Sequence, residues 1–127
     1  MAKKPTRKTI VKKLDKLFSL YIRTRYAKNE IAECITCGKK AHYKKLQAGH
    51  FMSRKNYATR WEEKNVEVQC YACNVMRYGE QYKFGLYLEK KHGQGTAEKL
   101  QRLSRQTVKF SNDDLLEKIK HYKTVLN

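Results

Sequence analysis

Acidic residues are scarce in this sequence: 12 Asp and Glu stand against 29 Lys and Arg among 127 residues, a formal net charge of +17. That excess points to a polyanion. Nucleic acid is the expected partner, with an anionic membrane surface as the competing reading. No run of apolar residues approaches the length that spans a bilayer, and Met1-Ala2-Lys3-Lys4 lacks the apolar core of a signal peptide. The expectation is a soluble, cytoplasmic protein without a membrane partner. Proline occurs once, at Pro5, inside a basic stretch covering residues 1–8 that reads as a flexible arm able to lie along phosphates. Beyond that arm there is no low-complexity tract, and the length fits one domain over residues 9–127.

Cysteine is also limited, to four, and all four fall in two Cys-x-x-Cys knuckles: Cys34 with Cys37, and Cys70 with Cys73. Two such knuckles supply the four thiolates of a tetrahedral zinc site. In a reducing cytoplasm that outcome is favoured over disulfides. Four thiolates leave no open coordination position, so this Zn²⁺ is expected to be structural, one per chain, and to contribute to the folding of a small core.

Apolar residues at Ile10, Leu14, Leu17, Phe18, Tyr21 and Ile22 recur at helical spacing, which predicts a helix over residues 9–27 with a basic opposite face. Residues 46–50 read as a short strand ending at His50, residues 52–63 as a polar, basic loop, and residues 66–69 as a second strand by alternation. A helix is expected from Cys73 to about residue 87 or 89, interrupted in propensity by Gly79 and Gly85. Strand, loop, strand and helix in that order make a ββα unit. Farther on, Thr96 is read as the cap of a helix to residue 105. Ser111 and the acids Asp113 and Asp114 open a last helix whose apolar face runs from Leu115 to Leu126.

Between the knuckles lies one histidine, His50, and directly after the second comes Asn74. Phosphodiester hydrolysis needs a base for water and a cation for the charge on phosphate and leaving oxygen. His50 is the candidate base. His42, His92 and His121 have no such surroundings and are read as structural or exposed. Arg54, Lys55, Arg60 and Arg77 surround these residues in sequence and are candidates for holding DNA phosphates. Tyr57 and Trp61 read as loop packing first and as base-stacking surfaces second.

Taken together, Cys34-Ile35-Thr36-Cys37-Gly38, Leu46-Gln47-Ala48-Gly49-His50-Phe51, Arg60-Trp61, Asn65-Val66, Gln69-Cys70-Tyr71-Ala72-Cys73-Asn74 and Tyr78-Gly79-Glu80 resemble the NinG/Rap family of phage recombination nucleases, within the HNH or ββα-metal group. The resemblance extends over most of the chain. It implies an α+β fold: a zinc-stabilised, HNH-like core with flanking helices. It also implies cleavage of branched DNA, such as four-way (Holliday) junctions or D-loops, with Mg²⁺ or Mn²⁺. On that pattern His50 matches the general base, Asn65 the residue that braces the loop orienting it, and Asn74 the ligand of the catalytic divalent ion. Many HNH enzymes carry a metal ligand immediately before the base, where this chain has Gly49. The second ligand is therefore expected from Gln47 or Glu80. A symmetric pair of chains could cut two strands, so a homodimer is expected. Two other readings compete: a non-catalytic zinc-finger DNA-binding protein, and an HNH nicking endonuclease indifferent to branches.

Overall fold

The computed structural model describes residues 4–127. Of the basic arm, residues 1–3 lie outside the described residues, and the remainder is shorter than expected. Helix α1 (Arg7–Thr24) opens at Thr6, whose side chain accepts the Thr9 amide, so Arg7 and Lys8 already form its first turn. Ile10, Leu14, Phe18 and Ile22, four residues apart, are its buried stripe. The helix stops at Thr24, short of residue 27. It lies along the last helix, α5 (Asn112–Leu126), with Leu115, Ile119 and Tyr122 facing it and the Phe18 and Tyr122 rings 5.3 Å apart edge to face. Ser111 caps α5 through a reciprocal box with Asp114.

Between these two helices in the chain come two small antiparallel ladders. The first pairs β1 (Ile31–Glu33) with β2 (Lys40–His42), a hairpin that sequence reasoning did not foresee because each strand is three residues long. The second pairs β3 (Gln47–His50) with β4 (Val66–Gln69), in register Gln47 to Gln69 and His50 to Val66. The loop joining them, read from the sequence as a polar, basic loop, contains a short helical turn, α2 (Tyr57–Arg60), and a 3-10 turn at Glu63–Asn65. No residue of β4 is exposed, since α1 crosses one side of the ladder.

The helix expected to run on from Cys73 is broken. A π-helical turn at Ala72–Met76 is followed by three left-handed residues, Tyr78, Gly79 and Glu80 (φ 54°, 87° and 48°). Only then does α3 (Gln81–His92) begin. Helix α4 (Thr96–Ser104) packs on α3 around a small satellite core of Phe84, Leu88 and Leu100. Gly95, in a left-handed conformation, holds the α4 cap position assigned to Thr96, whose hydroxyl donates instead to the Gly93 carbonyl. The architecture is thus mixed helix and small antiparallel sheet. Among the described residues no helix is long and apolar enough to cross a membrane.

Candidate active site and metal centre

At one end of the β3–β4 ladder the chain turns through Cys70 into the π-turn, and the β1–β2 hairpin brings Cys34 and Cys37 alongside. Gly38 (φ 81°) closes the first knuckle, its amide donating to the Cys34 carbonyl. In the second, the Cys73 amide points at the Cys70 sulfur, 3.4 Å away. All four sulfurs lie within 4.8 Å of one another, and Cys34, Cys70 and Cys73 are buried. Cys37 and Cys70 sulfurs are 3.6 Å apart and all four thiols are free, so this is no disulfide pair. Tetrahedral Zn–S bonds of about 2.3 Å would set sulfurs about 3.8 Å apart. The donor set fits one zinc ion.

The thiols also resist coexisting as anions without a cation. Burial pushes Cys34 up, but hydrogen bonding from Thr36 and from backbone groups of Cys70, Thr36 and Cys37 outweighs it and brings the thiol down to about 6. Lys39 offers Cys37 a backbone bond, yet burial and its thiol neighbours Cys34, Cys70 and Cys73 push it up to about 12. A divalent cation removes that conflict. Around the cluster, the Thr36 hydroxyl lies 3.3 Å from the Cys34 sulfur and receives the Gln69 amide at 3.2 Å, while Arg77 leans its guanidinium toward Cys73 at 3.8 Å.

His50 stands at the other end of the ladder, on a cleft of about 500 Å³ whose walls include Asp15, Ser19, Arg23, Gln47, Arg54 and Asn74. Its Nε2 is 2.9 Å from the Arg60 carbonyl. A carbonyl only accepts, so Nε2 carries the proton and Nδ1 keeps a free lone pair. Burial, ahead of the nearby Arg54 charge, holds the imidazole down at about 4 and therefore neutral at physiological pH.

That carbonyl is itself fixed. Arg60 directs Nε and Nη2 at the two oxygens of Asp15, at 3.1 and 2.5 Å, and Nη1 at the Arg54 carbonyl. The Trp61 indole donates to the same Asp15 carboxylate at 3.0 Å. Arg60 is therefore an internal strut, in contrast to the phosphate contact expected of it. Trp61 is buried and stacked on half-buried Tyr57 at 5.6 Å, so the pair packs within the loop. Asn65, completely buried, holds the loop's two flanks: its Oδ1 accepts the Met52 amide and its Nδ2 donates to the Met52 and Thr59 carbonyls, at 2.8, 3.0 and 3.0 Å.

Asn74 meets Gln47 inside the cleft, its Nδ2 donating to Gln47 Oε1 at 2.8 Å. Among the described residues no donor reaches its Oδ1, and Asn74 is part of the cleft wall. Glu80 does not join them. It sits in the left-handed turn before α3 and faces Lys83 at 3.4 Å, so the structure brings Gln47 and not Glu80 to Asn74. Gly49 has a packing reason: a Cβ there would lie 1.9 Å from the Oε1 of buried Gln69 across the ladder. Arg54 lines the cleft; Lys55 is exposed beside it on the same loop; Arg77 belongs to the thiol cluster, although its side chain remains largely in water.

Sequence reasoning missed α1's contribution, above all Asp15. The signal was present: Asp15 is the single acid in a helix with six Lys and Arg among its 18 residues. A lone carboxylate in such a basic segment invites an internal partner.

A family model described as the bacteriophage lambda NinG protein matches residues 1–127. No curated protein and no solved structure matches the chain.

Proposed function

This chain belongs to the bacteriophage lambda NinG family, and on that premise we propose that it is a divalent-metal-dependent DNA endonuclease of the HNH type acting on branched DNA. The observation that carries the proposal is the state of His50. Its Nε2–H is tied to the Arg60 carbonyl, so Nδ1 is left as the one basic nitrogen, held neutral by burial on an open cleft. A neutral imidazole fixed in one tautomer suits a base that takes a proton from water attacking phosphorus. A base near 4 is weak at neutral pH. A phosphodiester in the cleft would raise it, because a nearby anion favours imidazolium, so the base strengthens when substrate is present.

Asp15, Arg60 and Asn65 are positioning residues in this reading. Asp15 fixes Arg60, Arg60 offers the carbonyl that sets the His50 ring, and Asn65 keeps the intervening loop in register. Arg54, on the cleft wall, would hold a phosphate oxygen. Asn74 Oδ1, with Gln47 beside it, would hold Mg²⁺ or Mn²⁺. Such an ion stabilises charge on the phosphate and leaving oxygen. Two neutral amides are a thin donor set for a hard cation that prefers charged oxygens, so the substrate phosphate is needed to complete it. Selection of branched DNA is consistent with the +17 charge and with the lack of any evident base-reading helix, since phosphate contacts fix position without reading sequence.

The test is purified protein with Mg²⁺ and supercoiled plasmid, then a four-way junction in competition with linear duplex of equal length. Cleavage that disappears in His50→Ala, with the junction cut first, is the expected result. Tight DNA binding with no cleavage under any divalent ion would leave a non-catalytic zinc protein. Equal cleavage of both DNAs would leave a nicking enzyme without branch preference.

A further inference from the structure

The segment that leaves the second knuckle carries large side chains that face water. Tyr71, Val75, Met76, Tyr78, Tyr82 and Leu86 are all exposed, Tyr78 by 88% and Tyr82 by 79%. Helix α3 buries Phe84 and Leu88 and leaves Tyr82 and Leu86, one turn apart, on its outer side. Tyr78 stands in the left-handed turn before it, a conformation that disfavours any residue with a Cβ and an aromatic one especially. The turn is nevertheless pinned. The Gly79 amide donates to the Cys73 carbonyl at 2.8 Å, and the Gly79 carbonyl receives buried Gln69 at 2.8 Å. A strained backbone is thus held so that a tyrosine ring projects almost wholly into solvent.

Three features decide what such a ridge meets. It starts at the cleft, because Val75 is exposed on the ridge and also lines the wall next to Asn74 and His50. Cations are interleaved with the rings: Arg77, Lys90 and Lys83, the last beside Glu80, are exposed on the same segment, in a chain of net charge +17. Its two most exposed large members are tyrosines, whose hydroxyls suit permanent contact with water. Aromatic faces spaced between cations are the chemistry of single-stranded nucleic acid binding, in which rings stack on bases and cations follow the phosphates.

We propose that Tyr78 and Tyr82 stack on unpaired DNA bases adjoining the phosphate held in the His50 cleft, so that this ridge confers the preference for DNA with unpaired or easily unstacked bases. This rests on the nuclease reading for the phosphate in the cleft, while the stacking itself is read without cleavage.

The experiment uses the full chain carrying His50→Ala, with its zinc and no added Mg²⁺. Two DNAs of equal length are compared, a continuous duplex and one with a short unpaired stretch containing 2-aminopurine. The unmodified ridge should bind the second DNA more tightly and quench the 2-aminopurine. Tyr78→Ala with Tyr82→Ala should weaken that binding by about tenfold or more and abolish quenching, with duplex binding changed less than about twofold. Tyr78→Phe with Tyr82→Phe should keep both. Equal effects on the two DNAs, or none, would overturn the proposal. So would sedimentation showing a dimer that the alanine pair dissociates while quenching persists, because the ridge would then join two copies. Cleavage by the chain with His50 intact, assayed separately with Mg²⁺, reports the nuclease reading: stacking with no cleavage sinks only that reading, and cleavage indifferent to the tyrosines sinks only this one.

Discussion

The β3–β4 ladder carries two centres of opposite character. At the Gln69 end four sulfurs converge within 4.8 Å of one another, three of them buried. From Gln47, opposite Gln69, to His50 at the far end, polar groups line an open cleft of about 500 Å³, and among the described residues neither Asn74 Oδ1 nor the Arg54 side chain has a hydrogen-bond partner. A closed donor set holds a metal for the sake of the fold, whereas an open set leaves room for a substrate. One short ladder thus carries a closed donor set and an open one side by side.

The largest effect should come from the closed centre. Chelation or Cys70→Ser should abolish cooperative unfolding, since a structural zinc contributes on the order of 10 kcal/mol. Circular dichroism and elemental analysis, with one zinc per folded chain, check this. A folded Cys70→Ser chain of unchanged melting temperature would break the contrast. Next, His50→Ala should lower cleavage by roughly a hundredfold or more while melting temperature and DNA affinity barely change. Single-turnover cleavage beside a binding titration separates the two.

Asp15→Asn should fall between these regions, because it removes the charge that holds Arg60 and hence the His50 carbonyl partner. Cleavage should drop about tenfold, in kcat more than in KM, with DNA binding retained. If KM alone rises, Asp15 serves binding and not ring position. Asn74→Ala should raise the Mg²⁺ concentration for half-maximal cleavage several-fold, with partial recovery at high Mg²⁺. Loss of activity that Mg²⁺ does not restore, with a lowered melting temperature, would make Asn74 a structural residue.

The smallest effects are in pH. His50 is held at about 4, below its unfolded value near 6.5, so the unfolded chain binds the extra proton first. The stability linked to neutral His50 is complete above about pH 6.5 and is lost as pH falls through that value toward 4. In His50→Ala this part of the pH dependence of unfolding should vanish. For cleavage, the acid limb of kcat/KM should lie near 4 and that of kcat higher, because substrate phosphate raises the base. Coincident limbs would mean that phosphate does not approach His50.

How much was legible in the sequence follows the same division. Each knuckle is local, two cysteines on one tight turn, and the spacing alone announces it. The stripe Ile10, Leu14, Phe18 and Ile22 and the capping box at Ser111 are local too. The cleft joins residues up to 60 positions apart, from Asp15 to Val75, and no spacing rule connects them. Arg60 and Trp61 stand out in the sequence as a cation and an aromatic on a loop, but that they meet Asp15 depends on α1 crossing that loop. The break at residues 78–80 could not be read from Gly79 alone, since two of its three left-handed residues carry side chains that usually avoid that conformation.

Gly49 carries an evolutionary consequence. The Gln69 amide oxygen occupies the place a Cβ would take, so mutations at these two positions are epistatic. Gly49→Asp alone drives a side chain into a buried amide and should cost stability by displacing Gln69 from its bonds. Shortening Gln69 first would open the space but release its bonds to Thr36 and Gly79, on the sulfur side of the ladder. An acidic residue before the histidine therefore requires Gln69 to move or to change. In diverging relatives these two positions should change together, a glycine tracking a glutamine across the ladder.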